Sequence, residues 1–91
     1  MFTGIIESLG KITSVKADRG NIDFTIESDI SRELKIDQSV SHNGVCLTVT
    51  EQSDNTHTVT AVKETLDKSS LKSFSVDDLI NLERAMKLGE R

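Results

Sequence analysis

Proline, tryptophan and tyrosine are absent from the 91 residues, and cysteine occurs once. Without proline, no segment is confined to a sheet edge or bent by a cis peptide on that account. With Cys46 alone no internal disulfide can form, which points to a reducing, cytoplasmic setting. No apolar stretch approaches the roughly 18 residues of a membrane-crossing helix. The opening residues include Phe2, Ile5 and Ile6 but no basic leader and no long apolar run, so they do not read as a signal peptide. Lys and Arg never form a run, the formal charge is −4, and the three aromatics are all Phe. These features argue against nucleic acid or an anionic membrane as partner. His42, His57 and Cys46 fall into no metal-ligand spacing, so no metal is expected. Gly4 and Gly44 belong to no phosphate-cradling motif.

What is present is strand pattern. The length suits one small domain over residues 1–91, with about 60–65% of its extended surface hidden on folding. Asn43-Gly44 supplies two residues that tolerate positive φ, as a tight hairpin requires. Beyond it Val45, Leu47 and Val49 share one face of a strand, and Cys46, Thr48 and Thr50 share the other. A thiol and two hydroxyls in a row suggest a polar contact surface rather than a second core face. Residues 2–15 read as one long strand, bent or bulged near Gly4 and Gly10. Asp18-Arg19-Gly20-Asn21 reads as a turn, and residues 22–27 alternate with Ile22, Phe24 and Ile26 inward. Residues 28–34 read as a short helical turn capped by Ser28 or Asp29. Further strands are expected at residues 39–42, 45–52, 57–62 and 79–84, with a weak helical pattern over 64–71. No 20–50-residue repeat is expected within these 91 positions. Six short strands separated by turn signals predict an all-β fold, a six-stranded antiparallel Greek-key barrel with short helical turns. After the last strand, residues 86–91 follow without a cap or polar tail, which suits either a complete small protein or a piece cut at a domain boundary.

Two places carry candidate chemistry. Cys46 is a potential nucleophile if a base or positive charge lies beside it, and His42, four residues earlier across the turn, is the nearest candidate. The plainer reading is a small side chain packed on a strand. Glu64 and Thr65 after Lys63 offer a carboxylate and a hydroxyl at a strand end, where solvated surface charge is the plainer reading.

Four segments carry a family resemblance: Met1-Phe2-Thr3-Gly4-Ile5-Ile6-Glu7, Ser41-His42-Asn43-Gly44-Val45-Cys46-Leu47-Thr48-Val49-Thr50, Lys63-Glu64-Thr65-Leu66 and Asn81-Leu82-Glu83-Arg84-Ala85. Together and in this order they resemble the riboflavin synthase family, and they span the chain. Members of that family carry two tandem six-stranded Greek-key barrels and a C-terminal helix that builds a trimer. This chain resembles the first barrel only, with the second barrel and the helix absent. The resemblance implies a dismutation of two 6,7-dimethyl-8-ribityllumazine molecules to riboflavin and 5-amino-6-ribitylaminouracil, with no cofactor. It implies a full-length homotrimer whose sites form between barrels of neighbouring chains, each barrel holding one lumazine. The isolated barrel is expected to form a homodimer and to bind ligand with little turnover. A non-catalytic flavin- or lumazine-binding module, like the antenna proteins of luminous bacteria, is the alternative.

Site residues follow by matched position. Ser39 and Cys46 resemble the catalytic polar groups near the reacting ring. Thr48, Glu64 and Thr65 resemble groups that contact the heterocycle and ribityl chain. Gly4, Ile5, Ile6 and Val62 resemble the flanking wall. Val45 stands where some relatives have a second cysteine, and alternation turns it toward the core.

Overall fold

The alternation of apolar and polar residues fixes which side of each strand is buried, and six strands close around the apolar sides. In the computed structural model, which describes residues 4–85, the strands are β1 (Ser8–Asp18), β2 (Asn21–Glu27), β3 (Ser39–His42), β4 (Val45–Gln52), β5 (Thr56–Ala61) and β6 (Leu79–Arg84). They form a closed antiparallel barrel in the order β1-β2-β5-β4-β3-β6. One short helix, α1 (Lys63–Asp67), follows β5, and single 3₁₀ turns cover Ser31–Glu33 and Leu71–Ser73.

The interior is filled by Ile12, Phe24, Ile26, Val40, Leu47, Val49, Val59, Ala61, Ile80 and Leu82, and Ile30, Leu34, Leu66 and Leu71 from the connecting segments join the same core. Val45 packs partly against this core, as alternation requires. Burial of such side chains contributes about 1.5–3 kcal/mol each. The two tight hairpins use left-handed backbone at Arg19-Gly20 and Asn43-Gly44, at φ values of 53° and 89°, and of 51° and 85°. β1 makes room for the close approach of β2 and β6 at Gly10. A Cβ there would lie 2.5 Å from Ile26 Cγ2 and 3.0 Å from Leu82 Cδ1.

Several expectations need correction. β1 begins at Ser8 and reaches Asp18, and its irregularity lies between Ile12 and Ser14 rather than at either glycine. Of the proposed early strand, Phe2 and Thr3 lie outside the described residues. Residues 4–7 run instead over β6, where the Glu7 amide donates to the Leu82 carbonyl at 2.9 Å. Ser28 and Asp29 cap no helix. Ile30 precedes the 3₁₀ turn without a side-chain cap, the Ser28 hydroxyl pairs with Ser31 at 2.7 Å, and Asp29 accepts from Ser8. The helical pattern over 64–71 is two pieces, α1 and the second 3₁₀ turn.

A repeat is present after all, in the backbone. Pairing Ser8 with Leu82 and Lys11 with Leu79 in one half matches Val45 with His42 and Thr48 with Ser39 in the other. The β1–β2 irregularity at Ile12/Ser14 matches that of β4–β5 at Val49/Glu51. Asp37 and Asp77, at φ 75° and 78°, make equivalent turns: each turn donates to and accepts from one inward residue, Val49 and Ile12 respectively. The approximate two-fold axis passes through the Thr25–Thr58 pair, whose hydroxyls lie 3.1 Å apart, and through the His42–Leu82 pair. Sequence comparison misses it because equivalent positions hold unlike residues, such as Phe24 against His57 and Gly10 against Leu47.

Candidate functional site

With the interior filled, a small molecule has only the outside of the barrel. On β4, Cys46 and Thr48 point outward and are exposed. Their neighbours on β3 are Ser41, opposite Cys46, and Ser39, opposite Thr48. Glu83 on β6 lies opposite Ser41 in turn. Two polar rows therefore cross the wall, one of them Cys46, Ser41 and Glu83.

A cleft of about 390 Å³ adjoins this wall, lined by Gly4, Ile6, Ser41, Asn43, Gly44, Asn81, Leu82 and Glu83. Its lip is the segment before β1, held down by charge. The Gly4 amide donates to Glu83 Oε1 at 3.1 Å. Glu7 engages Arg84 through both carboxylate oxygens, and Arg84 also reaches Glu33 at 3.2 Å. Arg84 is mostly buried, and its hydrogen bond to Glu7 raises its pKa above the ordinary arginine value. Asn43 fixes the other lip, its Oδ1 accepting the Asn81 amide at 2.6 Å.

Across β4 the wall is bounded differently. Counting back from the Val49–Val59 pair, the antiparallel register sets Cys46 level with Val62, which leads from β5 into α1. Val62 and Glu64 are exposed and Thr65 is half-buried. Glu64 accepts from Lys68 at 3.0 Å, and the Lys63 amide is capped by Asn21 Oδ1 at 3.1 Å. The expected residues thus surround the outer face of β4: Gly4 and Ile6 with the cleft on one side, Ser39, Cys46 and Thr48 on the wall, Val62, Glu64 and Thr65 on the other side. Ile5 is exposed beside the cleft but does not line it. Ser41, Asn43, Asn81, Leu82 and Glu83 were not among the residues expected from sequence to form the site.

His42 does not serve Cys46. Successive residues of a strand point to opposite faces, and His42 is fully buried inside the barrel while Cys46 faces out. It meets His57 instead, Nε2 to Nε2 at 3.0 Å. His42 Nδ1 lies 2.9 Å from the Val40 carbonyl and must donate to it, so its Nε2 is the acceptor in the neutral ring. His57 then donates from Nε2 and accepts at Nδ1 from the Ser31 hydroxyl, 2.7 Å away. Burial lowers the His57 pKa to about 4. Burial, joined by the charge of His57 and opposed by the Val40 hydrogen bond, lowers that of His42 to about 3. Both rings are neutral structural groups near neutral pH. Among the described residues no cluster of His, Cys, Asp and Glu is arranged to hold a metal ion, and no helix is long and apolar enough to cross a membrane.

A closed, filled barrel with a polar outer wall and an adjoining cleft leaves a small molecule only the outside of the strands, the arrangement of a small binding barrel rather than a hollow one. The family is specific: residues 3–85 match the lumazine binding domain, and the chain belongs to that family. Riboflavin synthases of Bacillus amyloliquefaciens and Bacillus subtilis (strain 168) are 40% and 41% identical to it, covering 100% and 94% of this chain. The match takes in 43% and 40% of those proteins, so the chain spans about two fifths of their length. In three dimensions the chain shares its fold with LumP, crystallised with 6,7-dimethyl-8-(1'-D-ribityl) lumazine. The TM-score is 0.88 at 22% identity, over 100% of this chain and 51% of LumP.

Proposed function

We propose that this chain is the lumazine-binding barrel of a riboflavin synthase, taking 6,7-dimethyl-8-ribityllumazine or riboflavin against the outer face of β4. The observation that carries this reading is the outward row of thiol and hydroxyl groups beside a cleft, in a chain about 40% identical to riboflavin synthases along its whole length. In this reading Ser39 and Cys46 lie beside the reacting ring. Thr48 contacts the heterocycle, and Glu64 and Thr65 receive the ribityl hydroxyls, for which a carboxylate and a hydroxyl are suited partners. Gly4, Ile5, Ile6 and Val62 flank it. The reaction passes a four-carbon unit from one lumazine to another and rests on holding two molecules in register, which can supply several kcal/mol of the barrier without a cofactor. The full-length enzyme is a cytoplasmic homotrimer in this account. The barrel alone forms a homodimer with its open walls facing, since two-fold closure is the commonest homo-oligomeric solution.

Pure ligand binding without chemistry is the second reading. It is favoured by the position of Cys46, exposed with both histidines turned into the core and away from it. A fluorescence titration with riboflavin tests the shared premise: quenching is expected, and its absence at high micromolar protein would refute both readings. In a full-length synthase, Cys46→Ser and Ser39→Ala separate them, because a chemical role lowers turnover far more than binding. Sedimentation tests the assembly, and a monomer at high concentration with riboflavin present would contradict the dimer.

A further inference from the structure

The Ser41 hydroxyl has no hydrogen-bond partner among the described residues, although the residue is only 7% exposed and lines the cleft. Its neighbours on the same strand explain the burial but not the hydroxyl. Val40 and His42 face the core, and Ser41 points the other way, roofed by the segment that Glu83 and Arg84 pin over β6. No buried side-chain polar atom among the described residues lacks a partner, so the hydroxyl itself reaches open space. Its outlet is the cleft, where the neighbouring polar side chains are Asn43, Asn81 and Glu83, the last already accepting from the Gly4 amide through Oε1. Asn43 commits its Oδ1 to the Asn81 amide, which leaves its NH₂ group to donate. Ile6, Leu82 and the two glycines supply flat, apolar or open wall, and at Gly4 and Gly44 even an added Cβ would meet nothing within 4 Å.

We infer that Ser41, with Asn43, is a specificity-determining contact that donates to a ring carbonyl of the bound ligand. The inference rests on the ligand reading given above and extends it to the far edge of the ring. There the ribityl chain runs toward Glu64 and Thr65, on the α1 side of β4. The opposite edge of a ring seated over Cys46 and Thr48 therefore points across β3 to the cleft. Adjacent strands are about 4.8 Å apart, so the distance from β4 to the cleft suits the length of a fused ring system. That edge of a flavin or lumazine carries carbonyl oxygens, which need donors, and a serine hydroxyl and an amide NH₂ are donors without charge.

The test uses two probes that differ only at the other end, riboflavin and lumiflavin, which keeps the ring and its carbonyls but has a methyl group in place of the ribityl chain. Affinities for both are measured by fluorescence titration in the wild type, Ser41→Ala and Glu64→Ala, with a thermal melt of each variant to establish folding. Ser41→Ala is expected to weaken both probes by the same factor, about 3- to 10-fold, the loss of one neutral hydrogen bond. Glu64→Ala is expected to weaken riboflavin and leave lumiflavin unchanged. Ser41→Ala affinities equal to wild type for both probes would overturn the inference while leaving the ligand reading intact. So would a loss confined to riboflavin, which places the hydroxyl on the chain and not the ring. If neither probe binds the wild type, the ligand reading falls and the inference with it.

Discussion

Acidification from about pH 7.5 to pH 5 should remove about 4 kcal/mol of the stability of this fold, through two rings in its core. In the unfolded chain each histidine takes up a proton near pH 6.5. In the folded chain His57 resists to about pH 4 and His42 to about pH 3, because burial disfavours the charged rings. The unfolded state therefore binds more protons throughout this window, and stability falls as pH falls. At pH 5 the unfolded chain gains about 1.5 pH units' worth of protonation at each ring, close to 2 kcal/mol apiece and about 4 kcal/mol together. A domain of this size has about 5–14 kcal/mol to lose. The loss should begin near pH 6.5 and level off near pH 3, once both folded rings have titrated. The hydrogen-bond chain suggests an order. One proton can enter at His57 Nδ1 if the Ser31 hydroxyl turns to the Ile26 carbonyl, 3.4 Å away. A second must place two N–H groups against each other at the 3.0 Å contact. Urea unfolding followed by circular dichroism at the two pH values measures the effect. The double variant His42→Leu/His57→Phe, which copies the equivalent residues Leu82 and Phe24 of the other half, should lose the dependence. A wild-type urea midpoint that is the same at both pH values would refute the account.

Gly10→Ala should destabilise by about 1–3 kcal/mol in thermal or urea melts, since its methyl group would press on Ile26 and Leu82. Arg84→Met should cost about 1–2 kcal/mol and make the chain before Ser8 more sensitive to limited proteolysis, because that segment is tied down through Glu7. Cys46 should react with a disulfide reagent in the native state, being exposed, and riboflavin should slow the reaction if the ligand covers β4. Unchanged labelling kinetics under saturating riboflavin would remove Cys46 from the site.

The parts of the fold legible in sequence are those governed by local rules. β3, β4 and β6 begin and end where alternation and the Asn43-Gly44 turn place them, and the outward direction of Cys46 and Thr48 follows from the same period of two. What was not legible depends on closure of the barrel. His42 and His57 meet only because β4 pairs with both β3 and β5, and nothing in a lone buried histidine announces its partner. The cleft is built by a segment folding onto a strand 77 residues away, as in the Arg84–Glu7 contact, so no local pattern around Ser41 announces it. Glu64 and Thr65 were placed by motif, and their geometry beside Val62 follows from register that emerges only when β4 and β5 pair.

The approximate two-fold of the barrel bears on stoichiometry. Two identical halves would offer the same outer wall twice and saturate with two ligand molecules. Here the wall equivalent to Cys46, Thr48, Ser39 and Ser41 is made of Leu9, Lys11, Leu79 and Asn81, with two aliphatic groups, an ammonium and an amide where the first has a thiol and hydroxyls. The path from β5 to its 3₁₀ turn contains α1, and the path from β2 contains no such helix, so Glu64 and Thr65 have no equivalent. The equivalent wall has a cleft of similar volume, about 380 Å³, but different side chains, and a riboflavin titration is expected to reach its end point at a single molecule per chain.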